Sequence, residues 1–190
     1  MPTHMSLDEF LALPEGEPPY SEYSRGEIHS KSPRTPPVSA VVREFITELG
    51  LYARSSREAR VDTELLHAHR AEQRAYLPDV SVTRRSRFPA GQTRGAVEVP
   101  PDLAIEVLSP SDGAGYVLDK VGFYLRAGTE LVWVVDPERE VVTVYRRGAE
   151  ARDREARCGA RRPAGTRRPS NRLGCPFPPR KRRVGAATCA

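Results

Sequence analysis

The sequence predicts one α/β domain, a mixed sheet flanked by helices, with a disordered basic tail behind it. Two apolar stretches, 101–108 and 131–135, bracket a helical pattern over 115–127, which is the strand, helix, strand order of a parallel crossover. A second helical pattern comes earlier. Val38, Val41, Val42, Phe45, Ile46, Leu49 and Tyr52 fall within an arc of about 140° at 100° per residue. Beyond Gly148 both periodicities stop. Residues 151–190 hold twelve Lys/Arg, five Pro and four Gly, a composition unable to bury enough surface to offset its chain entropy. The domain is therefore expected over 1–148 and an Arg/Pro/Gly-rich disordered tail over 149–190.

In chain order, Ser6 is placed to cap a short helix carrying Leu7, Phe10 and Leu11, which Pro14 stops. Glu22 to Ile28 reads as a hairpin turning near Arg25-Gly26, and Pro33, Pro36 and Pro37 then predict a loop. After the long helix, residues 60–77 are weakly patterned. Val61, Leu65 and Leu66 suggest a strand, and the Arg/His/Glu-rich stretch from His67 to Arg74 an exposed turn. Val80 and Val82 make a short strand, and 84–95 a polar loop. Leu103, Ile105 and Val107 alternate with Ala104, Glu106 and Leu108; with both faces mostly apolar, this strand belongs at the centre of the sheet. The following helix ends at Gly128. Strands over 131–135 and 141–145, joined by a turn at Asp136-Pro137, complete the pattern.

Charge and cysteine content narrow the function. The formal charge of +5 separates into +10 on residues 151–190, where twelve Lys/Arg face two Asp/Glu, and −5 on residues 1–150. Cys158, Cys175 and Cys189 all lie in the tail, without a CxxC pair or a nearby histidine, which argues against a zinc site and a disulfide framework. Ser109 and Ser111 follow the central strand without a G-x-S-x-G elbow, so a serine hydrolase is disfavoured. The amino terminus lacks a signal pattern and no apolar run approaches the roughly 20 residues that cross a bilayer. A soluble cytoplasmic protein is expected.

Three side chains carry the candidate chemistry: Asp79 at the start of one strand, Glu106 inside the central strand, and Lys120 in the helix that follows. Metal-assisted phosphodiester cleavage needs a hard cation held by one or two carboxylates, with waters and substrate oxygens completing its shell. Asp79 and Glu106 would be those ligands, the carbonyl of Val107 a third oxygen. Lys120 would orient or deprotonate the attacking water, or stabilise developing charge. It sits about 100° from the centre of its helix's apolar face, at the margin from which a side chain reaches a strand end. Asp102 shares the Glu106 face but lies about 13 Å along the strand, so it reads as a strand-start residue. Trp133 and Tyr124 read as core, and His67 and His69 as exposed.

Five segments in this order, Gly26-Glu27-Ile28, Leu77 to Val82, Pro101 to Ser111, Asp119 to Gly128 and Leu131 to Pro137, resemble those of the Uma-two family of restriction endonucleases, within the PD-(D/E)XK nuclease superfamily. The likeness spans roughly residues 5 to 148. It implies a restriction-endonuclease-like core, DNA as substrate and Mg²⁺ or Mn²⁺ as cofactor, with Asp79 and Glu106 at the superfamily's two acidic positions. Leu108 occupies the usual lysine position, and Lys120 matches the place to which this family displaces it. Glu27 matches an acidic position near the family's amino terminus, an additional metal contact.

The chain departs from the family pattern twice. Pro36-Pro37 stands where members carry a histidine before the first long helix, and an Arg/Pro/Gly tail stands where they continue with apolar strand-like sequence. The tail's register of Arg, Ala, Gly and Pro also matches an out-of-frame translation of GC-rich coding sequence, which the source DNA would decide. The expected activity is that of a Mg-dependent endodeoxyribonuclease. Its rivals are an inactive relative serving as a DNA-binding or protein-interaction module, and nucleic-acid binding through Arg180-Lys181-Arg182-Arg183 and its neighbours. DNA is the expected partner and a membrane is not; homodimer formation stays open.

Overall fold

The computed structural model of the protein describes residues 5–14, 18–92, 94–110 and 112–155. Near the amino terminus, α1 (Leu7–Leu11) has a capping box, the Ser6 hydroxyl accepting from the Glu9 N–H while the Glu9 carboxylate reaches back to the Ser6 N–H. β1 (Ser21–Ser24) and β2 (Glu27–Ser30) form the expected hairpin, with Arg25 and Gly26 both at positive φ, 49° and 100°, as a two-residue hairpin turn requires. α2 (Pro36–Ser56) begins earlier than expected. Pro36 and Pro37 start this helix instead of delaying it, because a proline in the first turn gives up an N–H that has no helical partner there.

The weakly patterned stretch resolves into β3 (Ala59–Asp62), β4 (His67–His69), a 3₁₀ turn (Arg70–Glu72) and β5 (Arg74–Tyr76). Two sheets result. β4 and β5 join the hairpin in a four-stranded sheet ordered β2-β1-β5-β4. The other sheet adds β6 (Val80–Arg84), β7 (Leu103–Val107), β8 (Leu131–Asp136), β9 (Val141–Arg146) and β10 (Arg152–Glu155) to β3, in the order β10-β9-β8-β7-β6-β3. Within it, β7 and β8 run parallel, linked by α3 (Ala114–Ala127), and the other neighbours are antiparallel. β7 is central, as its two apolar faces predict.

The two long helices cover opposite faces of the six-stranded sheet. Val38, Val41, Val42, Phe45 and Leu49 of α2 pack on Val80, Leu103, Ile105 and Val107. Val117, Val121 and Tyr124 of α3 pack on Ala104, Val132 and Val134, together with Tyr76 of the smaller sheet. α1 closes that smaller sheet, Phe10 lying on Tyr23.

Two expectations change here. His67 is buried, with Nδ1 2.9 Å from the Val99 carbonyl and Nε2 3.3 Å from the Ser81 hydroxyl, because β4 is a strand held between β5 and the 97–99 segment and not an exposed turn. β10 continues the sheet past the expected edge at 148. Residues 156–190, which hold most of the expected tail and all three cysteines, lie outside the described residues. Among the described residues no helix is long and apolar enough to cross a membrane.

Candidate active site

Antiparallel β6 and β7 pair with Val80 opposite Ile105 and Ser81 opposite Ala104, and one further step of that register sets Asp79 across from Glu106. Side chains alternate between faces, so these carboxylates share the face that α3 covers, while Val80 and Ile105 turn toward α2. Both acids are buried. Asp79 is fixed by the Val107 N–H, which donates to Oδ2 at 2.8 Å, and the Thr63 hydroxyl donates to its carbonyl at 2.9 Å. Asp102, at the far end of β7, takes Arg84 and Arg87 as partners, in keeping with a strand-start role.

Helix α3 presents Tyr116, Lys120 and Tyr124 at intervals of four, one line along its inner side. The Lys120 Nζ lies 2.8 Å from Glu106 Oε1 and 2.8 Å from Oε1 of Glu22, a residue of β1. Glu22 also accepts from the Tyr116 hydroxyl at 2.5 Å and from the Leu77 N–H at 3.0 Å. The Tyr124 hydroxyl donates to Glu106 Oε1 at 2.8 Å, so Tyr124 does more than fill the core. The rings of Tyr76 and Tyr116 lie 5.5 and 5.9 Å from the ammonium, close enough for cation–π attraction.

Charge states follow from these contacts. Burial alone would strip the proton from Lys120, but Glu106 and Glu22 outweigh it and hold the ammonium well above the usual lysine range. Burial also opposes ionisation of Glu22, which Lys120 and Lys31 reverse, leaving it below the ordinary carboxylate range. Asp79 behaves in the same way, lowered by Lys31 and the Val107 N–H against the penalty of burial. Burial, reinforced by the Asp79 and Glu22 charges, raises Glu106. Tyr116 and Tyr124 are raised by burial and by the carboxylates they donate to, so both remain neutral donors.

Asp79, Glu106, Val107, Lys120 and Glu22 line one cavity of about 280 Å³. At its mouth, Lys31 Nζ lies 2.9 Å from Asp79 Oδ1 and 2.9 Å from the Leu77 carbonyl. Arg34 Nη2 lies 3.2 Å from the same Asp79 oxygen and 2.9 Å from Glu64 Oε1. The structure thus brings Asp79, Glu106, Val107 and Lys120 together but leaves Glu27 outside. The Glu27 side chain is 73% exposed, 3.7 Å from His29. The amino-terminal acid in the cavity is Glu22, whose strand partner is His29, whereas Glu27 pairs with Ser24 beside the turn.

The donor set suits a hard divalent cation. Among the described residues no group of three His, Cys, Asp or Glu side chains is arranged to hold a metal ion by itself. Two carboxylates facing one cavity match an ion that keeps waters and takes substrate oxygens. Lys120 and Tyr124 both occupy Oε1 of Glu106, so Oε2 is the oxygen these two donors leave for a cation.

A six-stranded mixed sheet with a helix on each face and an acid, acid, lysine cluster at the central strands places the protein in the restriction-endonuclease-like class. The chain belongs to the Uma2 family, described as "Putative restriction endonuclease", whose model matches residues 7–167. A crystal structure of a "putative nuclease belonging to DUF820" from Anabaena variabilis is similar at 33% identity and a TM-score of 0.70, over 80% of this chain and 84% of that one. A cryo-EM structure of a DrdV–DNA complex overlaps at 12% identity and a TM-score of 0.33, covering 62% of this chain and 12% of that one, too slight a likeness to build on. No curated protein matches.

Proposed function

We propose that this protein is a metal-dependent endonuclease that hydrolyses DNA phosphodiester bonds. The observation carrying the reading is the joining of Lys120 to Glu106 at 2.8 Å in the cavity that Asp79 also lines. Asp79 and Glu106, with the Val107 carbonyl, are the groups that would hold Mg²⁺ or Mn²⁺. When bound, such a cation neutralises charge on the phosphate and makes water a competent nucleophile near neutral pH. Family membership and the nuclease neighbour support phosphodiester hydrolysis, and the description of the family as restriction endonucleases supports DNA as the substrate.

The chain's own residues divide the remaining work. Lys120 is joined at 2.8 Å to two carboxylates, which favour its ammonium form. Of the roles open to it from sequence, that form suits orienting the water and stabilising charge on the phosphate better than accepting a proton. Glu22 and the Tyr116 hydroxyl behind it fix the ammonium. Tyr124 fixes Oε1 of Glu106, directing the carboxylate by the same logic that governs supporting hydrogen bonds around metal ligands.

Supercoiled plasmid incubated with the protein and Mg²⁺ tests this directly. The unaltered protein is expected to nick or linearise it, with Asp79→Ala and Lys120→Ala each slower by roughly 100-fold or more. No cleavage across a range of Mg²⁺ and Mn²⁺ concentrations, or cleavage indifferent to both substitutions, contradicts the proposal.

A further inference from the structure

Lys31 and Arg34 belong to the segment between β2 and α2 and have no part in the acid, acid, lysine cluster. Both nevertheless end on Asp79, and both on the same atom. Lys31 Nζ, Arg34 Nε and Arg34 Nη2 approach Oδ1 at 2.9, 3.4 and 3.2 Å, while Oδ2 is taken by the Val107 N–H. A cation coordinated by Oδ1 would compete with two positive side chains for that atom, and charge repulsion would favour their release. They have somewhere to go. Their side chains are 19% and 23% exposed, against 4% for Lys120, so they reach the cavity mouth while Lys120 is locked inside. Each keeps a second anchor, Lys31 on the Leu77 carbonyl and Arg34 on Glu64, so release from Asp79 would leave both at the entrance.

We propose that Lys31 and Arg34 form an exchangeable cation pair: they neutralise Asp79 in the metal-free protein and, displaced by the metal, become the phosphate-binding groups that grip the nucleic-acid backbone at the site. The inference rests on the metal-dependent nuclease reading. Its chemistry is simple, because the incoming dication replaces their charge on Asp79 and the phosphate then supplies the anion they have lost. Arg34 offers a planar fork for two phosphate oxygens, and Lys31 a point charge.

Two measurements that need no turnover test it. Mn²⁺ binding is read by calorimetry without DNA on the unaltered protein, Lys31→Gln, Arg34→Gln and the double variant. Each glutamine keeps a donor for Oδ1 but removes the competing charge. Circular dichroism checks folding, and Arg34→Gln alone carries the test should Lys31→Gln fail to fold. Binding is expected to tighten by roughly tenfold in the double variant and to stay at the unaltered level in Lys31→Arg, which keeps the charge. The second measurement is the salt dependence of binding to a short duplex with and without Ca²⁺. The unaltered protein should show a steeper log–log slope with Ca²⁺ than without, and the double variant should lose that increment, about one unit for each missing phosphate contact.

Failure to bind Mn²⁺ at all in the unaltered protein overturns the nuclease reading and this inference with it. Mn²⁺ binding that the variants leave unchanged or weaken overturns the exchange alone. A Ca²⁺-dependent slope increment that persists in the double variant likewise overturns the exchange.

Discussion

Tyr124 and His67 show how much a single side chain's meaning depends on its surroundings. By its helical spacing Tyr124 is a core residue, and its ring is one. Its hydroxyl, however, fixes the cavity-lining carboxylate Glu106. Tyr124→Phe keeps the ring and removes that donor, and is expected to slow DNA cleavage by about 10- to 100-fold while leaving far-UV circular dichroism unchanged. His67, buried between a carbonyl and a serine hydroxyl, has its pKa lowered by burial below 6.5. The unfolded chain takes up a proton near that value and the folded one does not. Stability is therefore full above pH 6.5 and declines as pH falls toward the lowered value, with a slope of up to about 1.4 kcal/mol per pH unit. Denaturant unfolding of the unaltered protein and His67→Gln checks this, the variant being expected to show a shallower decline below pH 6.5. Asp79, Glu106 and Lys120 were singled out because each sits in or beside a patterned element and matches a position of the family that the five segments resemble. Glu22 was not, because a short hairpin gives no sign of which acid points inward; Tyr23 on the opposite face, packed on Phe10, was the available clue. Lys31 and Arg34 lie in a loop, where no periodicity indicates direction.

At the scale of elements, the helices and the central strands were readable and the small sheet was not. α2 and α3 combine length with clear apolar periodicity, β7 and β8 are short, almost wholly apolar runs, and each forms where it is expected, α2 starting two residues early. β4 and β5 are three residues each, with His67, His69 and Arg74 among them. Their burial comes from contacts with distant segments, so polarity misled. The line Tyr116, Lys120, Tyr124 along α3, found in the structure and not singled out in the sequence, marks the face that delivers Lys120 to the carboxylates. The helix stops at Gly128 with φ 112°, a conformation for which a side chain is penalised. A Cβ there would meet Pro100 at an ordinary 3.5 Å, so the penalty is one of backbone strain and not of crowding. Gly128→Ala is expected to cost about 1–2 kcal/mol, read from the shift in denaturant midpoint at unchanged m-value.

For the molecule as a whole, the cavity sits where the two sheets and α3 meet. β1 brings Glu22, the chain entering β6 brings Asp79, β7 brings Glu106 and α3 brings Lys120, four elements separated along the chain and joined by burial of the apolar face of α3. On the proposed reading, Asp79 and Lys120 act as one unit on one bond. The most direct test is a cycle of plasmid cleavage rates in Mg²⁺ for the unaltered protein, Asp79→Asn, Lys120→Met and the two combined. Members of one catalytic unit are not additive, so the double variant is expected to be about as slow as the slower single variant. Losses that simply multiply, or a single variant that cuts as fast as the unaltered protein, would contradict the claim.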